Sequence, residues 1–186
     1  MMEKEIIFRN WVTEHSDELY RFALQRLYDK ELCKDLLQET FLAAWRNMGG
    51  FKGQASVKNW LFIILKRKIT DHYRKPYTRQ EVEMNHQENN DFTFFDEEDH
   101  WRKGMYPRPW SIDLNDRVEL KEFQLVFHSC GKKLKAIQNA VFVMKYVDGL
   151  DSEEICKELQ ITSSNYWVLL HRAKVRLRAC LEKNWM

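Results

Sequence analysis
Metal, redox and nucleophilic chemistry would have to come from four cysteines, six histidines and 28 carboxylates, and their spacing assembles none of it. Cys33, Cys130, Cys156 and Cys180 include no CxxC pair, the arrangement a redox couple or zinc knuckle favours. His128, Cys130 and Cys156 are spaced too widely for zinc ligands, which come in close pairs. The expectation is four ordinary thiols, packed as small apolar side chains in a protein of a reducing compartment. A Gly-rich phosphate loop, an HExxH helix and a nucleophile elbow are missing too. No enzyme, cofactor or metal is therefore expected.

The cations support a chemistry of their own, which is phosphate recognition. Over 186 residues the net charge is only +2, so distribution matters more than balance. Lys66, Arg67, Lys68, Arg74, Lys75 and Arg79 form one basic cluster, and Arg172, Lys174, Arg176 and Arg178 another. From Gln80 to His100 there is no Lys or Arg, while Glu81, Glu83, Glu88, Asp91, Asp96, Glu97, Glu98 and Asp99 accumulate. Two basic lobes are thus separated by an acidic strap.

The second cluster ends the stretch ITSSNYWVLLHRAKVRLR, residues 161–178. Its apolar run is far shorter than the roughly 20 residues a membrane span needs, so no membrane insertion is expected. At helical spacing Tyr166, Leu170, Ala173, Leu177 and Leu181 share a buried stripe. Asn165, Val168, Arg172 and Arg176 share the opposite face, with Trp167 near the buried edge and Leu169 at the margin of the front. Ser163, Ser164 and Asn165 open the helix, where small polar residues leave backbone N–H groups free for phosphate.

Helical elements must position these groups. Residues 5–30 repeat Phe8, Trp11, Val12, Leu19, Phe22, Ala23 and Leu27 at three- and four-residue steps. A second helix runs from Lys30 to Met48 over a core stripe of Leu37, Phe41, Ala44 and Met48, and Gly49-Gly50 stops it. A third, 57–75, buries Leu61, Leu65, Ile69 and Tyr73, and Pro76 ends it. Residues 77–115 lose the periodicity, yet their aromatics Phe92, Phe94, Phe95, Trp101, Tyr106 and Trp110 suggest a segment that lies against something. Helices resume at 116–130, 135–148 and 152–159, the last with Asp151-x-x-Glu154 as a capping box. The turn Gln160-Ile161-Thr162 then leads to the basic helix, which is the outline of a helix-turn-helix. The fold class is all-α: two small helical domains, 1–76 and 116–186, joined by an acidic linker.

Two faces stand out. On the second helix Asp35, Gln38, Glu39, Leu42 and Arg46 lie opposite the core; a solvated charged face is the ordinary explanation, but Leu42 and neighbouring Trp45 make it a credible docking surface. On the third, Asn59, Lys66, Arg67, Thr70 and Arg74 share the polar side, with Trp60 at its edge. The loop FKGQASVK before it is small, polar and cationic, fit to wrap an extruded nucleotide.

Together DLLQETFLAAWRN, FKGQASVKNWLFIILKRKITDHYRK, the acidic linker and VFVMKYVDGLDSEEICKELQITSSNYWVLLHRAKVRLRACL resemble an extracytoplasmic-function (ECF) sigma factor over nearly the whole chain, in order and in length. The resemblance implies that Asp35, Gln38, Glu39, Leu42 and Arg46 dock on the β′ clamp helices of core RNA polymerase. It implies that Lys52 and Lys58 of the loop, with Asn59, Trp60, Lys66, Arg67 and Arg74, read and melt the −10 element of promoter DNA. Residues 77–115 would thread towards the active cleft. Ser163, Ser164, Asn165, Val168, Arg172, Lys174 and Arg176 would meet the −35 element, in a module that also grips the β flap. An anti-sigma factor is a further implied partner. The chain departs from the family pattern at Trp167, where Lys is common, at Leu169, where Arg is common, and at Arg67, where Asn is common. A stand-alone helix-turn-helix regulator is the alternative, but it would need a dimer interface or a sensor domain.

Overall fold
The computed structural model describes residues 2–51, 53, 55–80, 102–103 and 116–185. Among them the chain is helical throughout, with no strand. Helix α1 (Met2–Leu27) ends where Tyr28 turns left-handed, at φ 56°. That turn presents Asp29, whose carboxylate accepts the backbone N–H groups of Glu31 and Leu32 and so starts α2 (Lys30–Asn47). A 3-10 turn, Met48–Gly50, closes α2, as the glycine pair predicts. Its buried stripe is rotated slightly from expectation: Cys33, Leu36, Thr40, Phe41 and Ala44 are buried, while Leu37 and Met48 are only half-buried. Helix α2 touches both α1 and α3, so its core arc is wider than one stripe.

Helix α3 (Val57–Gln80) runs on past Pro76 rather than stopping there. A proline withdraws one donor and disfavours helical geometry in the residue before it, but this is a bias and not a bar. The linker expected from residue 77 therefore begins as helix. Its acids and aromatics lie outside the described residues.

Asp116 caps α4 (Arg117–Gly131) through the N–H groups of Val118 and Glu119. Helix α5 (Ala136–Tyr146) is the most deeply buried, and α6 (Ser152–Leu159) carries the predicted capping box with both reciprocal bonds formed. Gln160 turns left-handed at φ 56°, and α7 (Ser163–Asn184) follows. The helix-turn-helix outline read from the sequence is present.

The two helical halves are packed against each other. Leu19, Ala23, Leu36, Leu61, Leu65 and Ile69 of the first half share one core with Ile137, Ala140, Val141, Ile155, Tyr166 and Leu169 of the second. A polar knot ties the seam. The carbonyl of Arg26 accepts the Tyr73 hydroxyl at 2.7 Å and the Asn139 Nδ2 at 2.7 Å, and Asn139 also donates to Tyr73 Oη at 3.0 Å. Burial pushes Tyr28 up to about 12 against the opposing charge of Arg26, and it raises Tyr73 as well, so both hydroxyls stay protonated. The Arg26 guanidinium lies 3.4 Å from the Phe22 ring centroid and pairs with Asp148 of the second half.

One expectation fails outright. Cys130 and Cys180 are bonded to each other, joining α4 to α7 across 50 residues of sequence. Sequence spacing excluded only local pairs; helix packing brings these two Cα atoms within 5.7 Å, inside the range a disulfide spans. Cys33 and Cys156 are free thiols, as expected.

Candidate nucleic-acid interface
On α2, Asp35, Gln38, Glu39, Leu42, Trp45 and Arg46 are all exposed and lie on one side, opposite the buried stripe. Leu42 is 55% exposed and Trp45 41%, an apolar strip that a stable free surface would not favour. The Glu39 carboxylate accepts a hydrogen bond from Lys68 Nζ on α3 at 2.8 Å. Asp35 and Glu39 also line a cleft of about 560 Å³ with Lys68, Asp71, His72, Arg74 and Gln160. Gln160 belongs to the helix-turn-helix turn, so the cleft runs between the halves.

Helix α3 divides its cations. Asn59, Lys66 and Arg67 are exposed, and Arg74 is partly covered and paired with Asp71 one turn back. Lys58 does not join them; it pairs with Glu18 of α1 at 2.6 Å. Trp60 is half-buried, with its ring 4.9 Å from Phe51 of the preceding loop and 6.1 Å from Trp11. The aromatic edge thus secures the loop to the helix. Lys52 lies outside the described residues. Sequence reasoning missed Ile63, 60% exposed, one helical turn from both Asn59 and Arg67. An apolar residue inside a polar face was the available signal, the same one that marked Leu42.

Helix α7 is turned differently from the wheel. Trp167 is 60% exposed and Leu169 only 1%, the reverse of the expected placement. Helices α4, α5 and α6 all pack on α7, so its buried arc widens to take Leu169 beside Leu170 and leaves Trp167 outside. Thr162, and not the Ser-Ser-Asn run, caps the helix: its Oγ1 accepts the Asn165 N–H at 3.3 Å. Ser163, Ser164 and Val168 are exposed, and Asn165 and Arg172 are half-buried. Arg176 is not on the open front, since its Nη1 donates to the buried Gln138 Oε1 at 2.9 Å. Lys174 is exposed on another side, its Nζ 5.5 Å from the Tyr146 ring centroid.

Lys135, at the start of α5, was missed altogether. Its pKa is lowered by burial first, then by the like charges of Arg176 and Arg172. The positive charges of Arg176 and Arg172 on α7 thus act on Lys135 at the start of α5, and an anion beside it would offset that repulsion. Nothing in helical periodicity can show a pairing between separate elements.

Residues 11–79 match the family described as Sigma-70 region 2, and residues 125–177 that described as Sigma-70, region 4. A "Probable RNA polymerase sigma factor" of Haemophilus influenzae is 38% identical over 169 residues, covering 89% of this chain and 85% of its own length. The chain belongs to the ECF sigma factors of RNA polymerase. The ECF RNA polymerase sigma factor SigX of Bacillus subtilis is 27% identical over 91% of this chain and 80% of its own. Among solved structures, the sigma factor RpoE of Bartonella quintana, in complex with the anti-sigma factor NepR, matches at TM-score 0.44 and 20% identity, covering 94% of this chain and 96% of that one. As a sigma factor the protein joins core polymerase and directs initiation at promoters. The exposed faces of α2 and α3 fall within the region 2 match, and α5, α6 and most of α7 within the region 4 match.

Proposed function
We propose that the sigma factor divides its work among three surfaces. The α2 face of Asp35, Gln38, Glu39, Leu42, Trp45 and Arg46 docks on the β′ clamp helices. The α3 face of Asn59, Ile63, Lys66, Arg67 and Arg74, with the aromatic-secured loop before it, reads and opens the −10 element. There the cations hold the backbone, and Ile63 supplies an apolar contact to an unstacked base. The α6–α7 module reads the −35 element through Ser163, Ser164, Asn165 and Val168, while Lys135, Arg172 and Arg176 hold phosphate. The same module meets the β flap. Residues 1–76 and 116–186 act as the two recognition modules, joined by 77–115.

The observation that carries this reading is the α2 face, where exposed Leu42 and Trp45 are framed by Asp35 and Gln38. Polymerase performs the chemistry of RNA synthesis, and this subunit places it. It works in the cytoplasm, and an anti-sigma factor controls its release. Among the described residues no helix is long and apolar enough to cross a membrane. Transcription by purified core polymerase on genomic fragments, with and without the protein, tests the proposal. Promoter-specific transcripts that depend on the protein are expected. Dimeric operator binding without polymerase would instead select the regulator alternative.

A further inference from the structure
Helix α4 is held to the rest of the second half by a small cluster of its own. Cys130, Leu177 and Leu181 are its buried members, with Phe123, Phe127 and Phe142 packed around them. The bond between Cys130 and Cys180 runs through this cluster and is the only covalent tie between α4 and α7 among the described residues. The end of α4 that it fixes is also the end that meets the first half. A side chain at Gly131 would fall 2.4 Å from Tyr28 Cε2, so the buried Tyr28 ring rests directly on the residue after Cys130. The rings of His128 and Phe127 lie 5.0 Å and 6.2 Å from the same tyrosine.

We propose that Cys130 and Cys180 are a reversible thiol–disulfide pair that couples the redox state of the protein to the packing of its second half against its first. The inference rests on the sigma-factor reading in one respect. A polymerase subunit works where thiols are normally kept reduced, so a bond of this kind there is conditional and not constitutive. Cys180 is the accessible partner, half-exposed on α7, whereas Cys130 is 1% exposed. The Asn184 Nδ2 lies 3.5 Å from the Cys180 sulfur and can donate to it, favouring the thiolate there. The two remaining thiols are poorly placed to compete. Cys33 is fully buried and pushed up to about 11 by burial, with Asp29 adding to the shift, and burial raises Cys156 too.

The oxidant belongs to the class of hydroperoxides. The Cys180 thiolate attacks the peroxide oxygen, the O–O bond breaks and an alcohol or water leaves, which makes a sulfenic acid on Cys180. The Cys130 thiol then displaces that hydroxyl as water and closes the S–S bond. Two thiols have lost two electrons to the O–O bond, and a dithiol reductant returns them by exchange. Closing the bond braces α4 on α7 and keeps Gly131 and His128 in the position that receives Tyr28. The oxidised protein is therefore the more tightly closed one.

The full-length protein, reduced with dithiothreitol and then treated with hydrogen peroxide, tests this by differential alkylation and mass spectrometry. The expected result is a single Cys130–Cys180 linkage, reversed by dithiothreitol, with Cys33 and Cys156 still free. In hydrogen exchange, the α4 amides and those around Tyr28 should slow tenfold or more on oxidation. The melting temperature should rise by roughly 5 °C or more, and neither change should occur in Cys180→Ser. Promoter transcription with core polymerase should be several-fold higher for the reduced form. Peroxide that leaves both cysteines alkylatable overturns the proposal, and so does a linkage that changes no exchange around Tyr28. Because alkylation and exchange involve no polymerase, a reduced protein that fails to direct transcription would count against the sigma-factor surfaces alone.

Discussion
Asn165 stands half-buried near the start of α7 with its backbone N–H held by Thr162, so a base contact from it comes through the carboxamide. A carboxamide suits an adenine edge, and the exposed Val168 beside it suits a thymine methyl. Asn165→Ala is expected to cost about 1–3 kcal/mol at one −35 position and to relax the preference there. Lys135 serves the other need. Its charge is felt together with those of Arg172 and Arg176; if it holds backbone phosphate as proposed, Lys135→Ala should weaken every sequence alike and lower the salt slope by about one. A promoter-library selection at two salt concentrations distinguishes the two variants. Equal loss on all sequences for Asn165→Ala would reduce that residue to a packing role. The exposure of Ser163, Ser164 and Val168 was legible from residue type and helical spacing. The swap of Trp167 and Leu169 was not legible, since the width of a buried arc depends on how many neighbours a helix has. Lys135 was hidden for a related reason: its partners are on another helix.

At the scale of elements, local chemistry was the most readable part. The capping box expected at Asp151 and Glu154 is present, and Asp29 and Asp116, caps that sequence reasoning missed, start their helices by the same carboxylate chemistry. What escaped was contact between elements, namely the Lys68–Glu39 bond across α2 and α3, and the disulfide across α4 and α7. The first of these sharpens a docking test. Glu39→Lys would both remove a carboxylate of the proposed docking face and set two lysines against each other, whereas Asp35→Lys leaves the Glu39–Lys68 bond in place. Asp35→Lys should leave helix content intact and weaken core-polymerase binding by about 2–5 kcal/mol if the contact is desolvated, less if it lies at the rim. Unchanged affinity of the folded variant would remove this face from the interface. A second test concerns the junction of α1 and α4. Gly131→Ala should favour helix by propensity, but its Cβ would meet the buried Tyr28 ring at 2.4 Å. Overpacking of this kind costs roughly 1–3 kcal/mol, so the net change should be destabilising by thermal melting. In a Tyr28→Ala background the same substitution should become neutral or stabilising. Destabilisation that persists there would place its cause in α4 itself.

At the scale of the whole molecule, the described residues of the two halves close on each other across an apolar core, and a polar cluster lies beside it at the seam. His128 lies on that seam against Tyr28, and its pKa is lowered from 6.5 by burial first and Lys132 second. A base with a depressed folded pKa binds fewer protons folded than unfolded, so its share of stability is complete above about 6.5 and is lost as pH falls through the folded value. Melting temperature should accordingly drop less between pH 7 and about pH 5 in His128→Phe than in the parent, and parallel curves would dismiss the linkage. A charged contact of the seam pairs Arg26 with Asp148, whose side chains are 11% and 21% exposed. Asp148→Ala would strand a buried guanidinium that keeps only the Phe22 carbonyl and ring, a cost of about 2–3 kcal/mol after allowing for partial exposure. Asn139 adds two bonds at the same place, but Tyr73 would still donate to the Arg26 carbonyl without it, so Asn139→Ala should cost less, about 1–2 kcal/mol. A protease site inserted between Gln87 and Glu88 converts these costs into an affinity between two chains. After cleavage the halves are expected to co-elute in gel filtration, because their shared core crosses the cut. Asp148→Ala should weaken their association roughly 30- to 150-fold, with Asn139→Ala intermediate. Halves that separate at micromolar concentration in the parent protein would show that the linker, and not the seam, keeps them together.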